Sequence, residues 1–172
     1  LNNNNMRLNY KSLLLTAAFL IAAHCVFAAD PWDGTYTKWT NGSGTQTDPY
    51  LIETPSNLAY LARLGGCKGL YFLQTTDLNM NDKQLVDPNG ANTFFYGNYD
   101  GGNHQIANMT SCLFKYVFGA SIQNVTIAGS STYPMIQMSW GNTTLTNCHN
   151  KSTAEISGAG LVVIAEKGCL SM

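Results

Sequence analysis

A short element of the form apolar–x–Asn–apolar recurs three times along this 172-residue chain. Its copies begin at Ile106, Ile122 and Leu145, and they carry Asn108, Asn124 and Asn147. A repeat of about 20 residues with short strands is typical of a solenoid, whose turns stack about 4.8 Å apart. Asparagine tolerates left-handed backbone at a corner, and its amide can bond to the asparagine above and below. The repeat therefore predicts an all-β, right-handed parallel β-helix with these three asparagines in one ladder.

The strands of this solenoid are expected over residues 70–172, and residues 29–69 are expected to cap its N-terminal end. Within the cap, "PYLIET" predicts a short strand and Pro55–Leu64 predicts an amphipathic helix. Either Thr54 or Ser56 can cap the first turn of that helix. An uncovered first turn of a solenoid is an open strand edge, so we expect the helix to lie across it.

Residues 1–28 are interpreted as upstream sequence followed by a secretory signal peptide. Met6 is the expected start, Arg7 and Lys11 give a positive segment, and the apolar run "LLLTAAFLIAA" follows. Small Ala28 stands at the expected cleavage site. Because the run is shorter than the ~20 residues of a membrane-spanning helix, we favour a signal peptide over a membrane anchor. We therefore expect a secreted or cell-surface protein with no membrane span in the mature chain.

The charge balance argues against nucleic acid as a partner. The signal peptide contains two of the nine basic residues and none of the ten acidic ones, so the mature chain has a formal charge of −3. No basic cluster remains that would neutralise phosphates. Asn, Thr, Ser, Gly and Tyr are abundant, which suits short strands and tight turns.

Four cysteines follow residue 28, and their state is left open by the sequence. An even number of cysteines in an exported chain permits two disulfides in three connectivities. Free thiols packed as small apolar residues are the equal alternative. No CxxC pair occurs, so no zinc site is expected. The four residues are Cys67, Cys112, Cys148 and Cys169.

The stretch "FFYGNYDGGNHQIANMT" raises the question of catalysis. Gly supplies positive φ and Asp bonds to nearby backbone, so Gly97, Asp100, Gly101 and Gly102 predict a structural turn. The alternative makes Asp100 a base and His104 its orienting partner. No serine or cysteine has a recognisable nucleophile context, so we favour the turn and expect no catalytic residues.

Two binding hypotheses have structural alternatives. "DLNMND" resembles the start of a calcium loop, but the later positions of the loop lack the glycine and the glutamate that an EF-hand requires. A looser calcium site at Asp77, Asp82 and Asp87 is therefore only a weak candidate, and no metal is expected. Trp32 and Trp39 could form a sugar-stacking platform. Their N-terminal position favours a role in covering the end of the solenoid core.

Four segments, in order, resemble the GLUG-motif proteins, which are secreted or surface-exposed bacterial β-helix proteins. They are "GSGTQTDPYLIETPSNLAYLA", "LYFLQTTDLNMN", "FYGNYDGGNHQIANM" and "CLFKYVFGASIQNVTI". The family motif Gly-Leu-Phe-Gly is replaced by Cys112-Leu113-Phe114-Lys115. Family members continue through more repeats, so the resemblance implies that the chain is either a fragment truncated at its C-terminal end or a short paralogue.

The resemblance and the export signal together imply an exported, non-catalytic, adhesin-like surface module without a cofactor. Its expected partner is a polysaccharide, a host glycan or a surface protein. One alternative is a polysaccharide lyase or hydrolase, because many β-helix proteins cleave glycans. Another is an inert spacer within a larger surface protein. The sequence names no ligand.

Overall fold

The computed structural model of the chain describes residues 30–85, 93–131, 133–152, 162–165 and 170–171. These residues form one helix and fourteen strands: β1 (Tyr50–Ile52), α1 (Pro55–Leu64), β2 (Tyr71–Gln74), β3 (Leu78–Lys83), β4 (Phe94–Phe95), β5 (Asn98–Asp100), β6 (Gln105–Met109), β7 (Phe114–Phe118), β8 (Ser121–Gln123), β9 (Thr126–Ala128), β10 (Ile136–Trp140), β11 (Thr143–Thr146), β12 (His149–Asn150), β13 (Val162–Ala165) and β14 (Leu170–Ser171). The signal peptide predicted within residues 1–28 lies outside the described residues.

The strands form three sheets in which every strand pairs in parallel with a strand from the next turn of the chain. Sheet 1 has the order β1-β2-β5-β8-β11-β14, sheet 2 the order β13-β10-β7-β4, and sheet 3 the order β12-β9-β6-β3. From β4 onward the chain visits sheets 2, 1 and 3 in that order, and about four turns stack into a β-solenoid. The predicted parallel β-helix is therefore confirmed.

The core consists of apolar side chains stacked in columns between the sheets. In sheet 1 the column contains Phe72, Tyr99, Ile122 and Leu145, which are in register and at most 3% exposed. Strand residues alternate between the two faces of a sheet, so the residues that flank this column point outward. Each turn therefore contributes to one continuous core and to one continuous outer face.

The helix α1 covers the N-terminal end of the solenoid, as predicted. It packs against β1 and β3, which are the first strands of sheets 1 and 3. Thr54 is the cap: its hydroxyl accepts a hydrogen bond from the backbone of Asn57, whose side chain accepts one from the backbone of Thr54. Leu58 and Leu61 on the inner face are at most 1% exposed. A ten-residue helix is marginal alone, so this packing stabilises it.

The cap residues before β1 complete the cover. The backbone of Trp32 bonds to Asn79 on the edge strand β3, and the backbone of Leu51 in β1 bonds to Asn41. Trp32 and Trp39 are 2% and 5% exposed. They are therefore part of the core and do not form a sugar-stacking platform. Of the helices in the described part of the chain, none has the length and apolar character that crossing a bilayer requires.

Replacing Tyr99 with phenylalanine should lower the free energy of unfolding by about 1.5 kcal/mol. The Tyr99 hydroxyl donates to the side-chain oxygen of Gln74 at 2.9 Å, and both residues are 1% exposed. The variant leaves a buried acceptor without this donor. Urea unfolding measures the loss, with Tyr133→Phe, at a ring that is 43% exposed, as the control. Equal stability of Tyr99→Phe and the parent chain would contradict the prediction.

Candidate functional site

Five aromatic rings cover the outer face of sheet 2, and we call them the aromatic strip. Phe118 is 48% exposed, and the other four rings are partly exposed. Neighbouring ring centroids lie 5.2 to 6.0 Å apart, a normal spacing for aromatic pairs. The strip consists of Phe94, Tyr96, Tyr116, Phe118 and Trp140.

The register of the strands explains why these rings meet. Phe94 pairs with Tyr116 and Phe118 pairs with Trp140, so these outward residues occupy matching positions in adjacent turns. The Trp140 ring contacts those of Phe94 and Tyr116, and the Phe118 ring contacts that of Tyr96. The Phe94 and Tyr116 rings stack at 5.2 Å with 28° between their planes. The intervening Phe95 is 3% exposed and points into the core. Alternation along β4 and over the last three residues of β7 therefore presents an apolar face to the outside, whereas Phe114 at the start of β7 departs from it and is buried.

A polar groove lies on the outer face of the neighbouring sheet 1. It has a volume of about 590 Å³. Its floor is made by two columns of outward residues, Tyr71 with Asn98 and Ser121, and Leu73 with Asp100 and Gln123. Amide, hydroxyl and carboxylate groups thus line the groove beside the apolar residues Leu73 and Pro49 and the Tyr71 ring.

Asp100 is the one carboxylate among the described residues that line the groove. Burial alone would raise its pKa, but hydrogen bonds from Asn124, the Gly102 backbone and Gln123 outweigh burial and hold the pKa of Asp100 below its ordinary value. The side chain is therefore ionised at neutral pH. The groove carries a fixed negative charge.

The strip and the groove meet at the corner between sheets 2 and 1. Tyr96 of the strip and Asn98 of the groove are separated by Gly97 alone. A Cβ atom at Gly97 would lie 3.0 Å from the Cys67 carbonyl oxygen and 3.0 Å from the Phe95 ring. Glycine thus permits this corner to turn tightly. An aromatic face and a polar face lie next to each other as a result.

The predicted asparagine ladder is present in part. The Asn147 amide donates to Asn124 at 2.9 Å, and the Asn124 amide donates to Asp100 at 2.9 Å. The inclusion of Asn108 in this ladder is wrong, because the Asn108 amide donates to Asn79. Asn108 also follows Ala107, which is paired in the strand register with Ala128, so its position in the turn differs from that of Asn124.

The length of one turn accounts for this difference. The strand register pairs Ile106 with Ile127 and Ile122 with Leu145, and each of these pairs is separated by one full turn of the chain. The step from Asn124 to Asn147 equals the second of these intervals. The step from Asn108 to Asn124 is shorter than either interval, so these two asparagines lie at different corners.

The stretch after β5 is a tight corner, as favoured from the sequence. The His104 amide bonds to the Gly101 carbonyl at 2.8 Å, and φ is positive at both Gly102 and Asn103. The Nδ1 atom of His104 lies 3.2 Å from Asp77, while Asp100 bonds to the groups described above. Asp100 and His104 therefore belong to separate hydrogen-bond networks, and the partner of the His104 ring is Asp77 instead of Asp100.

The described cysteines carry free thiols, so the two-disulfide alternative does not hold for them. Cys112 and Cys148 are buried and Cys67 is partly buried, whereas Cys169 lies outside the described residues. Burial raises the pKa of Cys112 to about 11 and also raises the pKa values of Cys67 and Cys148. These thiols stay protonated at neutral pH. They are poor nucleophiles and pack as apolar residues.

The weak calcium candidate gains no support. Asp77 accepts a hydrogen bond from the Gln105 backbone, Asp82 accepts one from the Ser130 hydroxyl, and Asp87 lies outside the described residues. Across residues 30–85, 93–131 and the later described segments, no group of three His, Cys, Asp or Glu side chains could hold a metal ion.

None of the sequence patterns considered above predicts the aromatic strip. Its signal is a pair of aromatic residues at alternate positions of one strand, Tyr116 and Phe118, each with an aromatic partner one turn away. Those partners are Phe94 in the turn before and Trp140 in the turn after. Comparisons of the chain with protein-family models, curated proteins and solved structures return no match. Its function is therefore inferred from the geometry of its side chains.

Proposed function

We propose that this chain is an exported, non-catalytic surface module that binds a polysaccharide through the aromatic strip. The observation that carries the proposal is the row of five adjoining rings on one outer sheet face. A contiguous exposed apolar patch on a soluble domain commonly marks a binding surface. Aromatic rings stack against the apolar faces of pyranose rings, and this strip places five partly exposed or exposed rings in mutual contact.

A sugar chain suits this surface better than a wholly apolar partner does. Each sugar ring has an apolar face and a rim of hydroxyl groups. The strip can pack against the apolar face. The amide and carboxylate groups of the neighbouring groove can form hydrogen bonds with the hydroxyl groups. Export of the module rests on the signal sequence expected within residues 1–28 and on the resemblance to surface β-helix proteins.

The test compares polysaccharide binding by the mature chain and by Phe118→Ala/Trp140→Ala. Affinity electrophoresis in gels containing single polysaccharides finds a ligand, and calorimetry then gives its Kd. We expect the double variant to bind at least about 10-fold more weakly, because each stacked ring contributes roughly 1 kcal/mol beyond its buried area. Tyr133→Ala removes an exposed aromatic ring outside the strip and should leave Kd unchanged.

The alternatives predict other results. Unchanged binding by the double variant would show that the strip is not the site. Release of unsaturated or newly reducing sugars during incubation would favour the alternative that the chain is a polysaccharide lyase or hydrolase. Failure to bind any glycan would favour the inert spacer.

A further inference from the structure

We infer that the polar groove is a second contact region for the same sugar chain, and that it selects uncharged polysaccharides over acidic ones. The inference rests on the proposed function and adds the chemical class of the ligand. Its basis is the position, the charge and the hydrogen-bonding capacity of the groove.

The position of the groove lets one ligand touch both faces. The chain passes from the strip to the groove through one residue at Gly97, and through Gly119 and Ala120 between Phe118 and Ser121 in the next turn. A sugar chain that stacks on Phe118 and crosses this corner reaches Ser121 and Asn98, which are paired in adjacent strands. The strip would contact the apolar faces of the sugar rings, and the polar groups of the groove would form hydrogen bonds with the sugar hydroxyls.

The hydrogen bonds of Asp100 leave room for a hydroxyl donor. Its Oδ1 atom accepts from Asn124 and Gly102, and its Oδ2 atom accepts from Gln123 at 2.6 Å. An ionised carboxylate has about four acceptor positions, so one remains on Oδ2. A sugar hydroxyl can donate there. The carboxylate of a uronic acid cannot, and it would meet a like charge.

The basic groups near the surface do not offset this charge in the groove. None of the described residues that line the groove is Lys, Arg or His. Strand β7 contains Lys115, whose ammonium lies 5.2 Å from the centre of the Tyr116 ring in the strip. Lys115 is 8% exposed and is not among the residues that line the groove. The carboxylates of an acidic sugar chain would therefore be repelled by the Asp100 carboxylate. No cation among the described residues of the groove lining compensates this repulsion.

The experiment uses pairs of oligosaccharides or polysaccharides whose members differ only at C6. The pairs are cellohexaose with the β-1,4-glucuronate hexamer, mannohexaose with the β-1,4-mannuronate hexamer, and carboxyl-reduced polygalacturonate with polygalacturonate. Calorimetry at low salt should show at least about 10-fold tighter binding of the neutral member in every pair that binds. Asp100→Asn, which removes the charge and keeps the shape, should reduce this preference to less than about 3-fold.

A second variant keeps the test decisive if Asp100→Asn folds poorly. Ser121→Lys places a cation in the groove at an outward position and should strengthen binding of the acidic member by at least 3-fold. Phe118→Ala/Trp140→Ala should weaken both members of a pair by the same factor. If acidic and neutral members bind equally while the double variant weakens both, the selectivity is overturned and the proposed function stands. If no member of any pair binds, both fail.

Discussion

Replacing Phe114 with alanine should lower the free energy of unfolding by about 3 to 5 kcal/mol, the range observed for buried phenylalanines. Phe114 is 3% exposed and stacks on Phe95 with centroids 4.2 Å apart and planes 4° from parallel. Phe95 in turn contacts Phe72, which contacts Trp39 in the cap. These rings connect the cap with the core of later turns, so a cavity at Phe114 removes the ring that ends this series and the stack on Phe95.

The matched control is Phe118→Ala in the same strand. Phe118 is exposed on the outer face, so its removal should cost less than about 1 kcal/mol. Equilibrium unfolding in urea, followed by far-ultraviolet circular dichroism, measures both variants. The two phenylalanines should thus show opposite effects: Phe114→Ala should affect stability, and Phe118→Ala should affect polysaccharide binding. Equal stability losses would contradict the assignment of inner and outer faces.

Replacing Gly101 with alanine should destabilise the protein by about 3 kcal/mol, at the upper end of the usual cost of overpacking. The φ angle of Gly101 is outside the left-handed region, so its own backbone tolerates other residues. The obstacle is the next turn, because an added Cβ atom would lie 2.4 Å from the Asn124 carbonyl oxygen and 2.9 Å from the Val125 Cα. Two stacked turns would have to separate, which would lengthen the hydrogen bond from the Gly101 amide to Gln123.

Gly119→Ala separates this steric effect from a backbone effect. Gly119 has φ of +57°, but an added Cβ atom there meets nothing within 4 Å. We expect a cost of about 1 kcal/mol from left-handed backbone alone. Thermal unfolding of both variants makes the comparison. A Gly101→Ala protein as stable as Gly119→Ala would show that the turns are not held as closely as described.

The solenoid was predictable because its features repeat or are local. Asn124 and Asn147 lie one full turn apart, and the helix has a threonine cap, an early proline and an apolar face. The error at Asn108 has a physical cause. Several corners of each turn tolerate left-handed asparagine, so φ is also positive at Asn81 and Asn103, and the residue type does not identify the corner.

The site was harder to predict than the fold. Rings of the strip alternate with core residues of the same type, so Phe94 and Phe95 cannot be distinguished by composition. Only the strand register between turns assigns one to the surface and one to the core. The state of the cysteines was hard to predict for the same reason. Whether two cysteines are close enough to form a disulfide depends on how distant turns of the chain are placed. Local sequence patterns therefore predict the solenoid, whereas the pairing of residues from different turns is needed to predict which side chains lie on its outer faces.

The pairing of outward residues in successive turns has a consequence for the length of the ligand. Outward positions of sheet 2 recur at the same interval from Phe94 to Tyr116 and from Phe118 to Trp140, and those of sheet 1 recur from Asn98 to Ser121. Duplication of one such unit would add a new row of rings and a new row of polar groups, each in line with the existing rows, without rebuilding a corner. Proteins of this design can thus grow to match longer polymers by tandem duplication, one coil at a time.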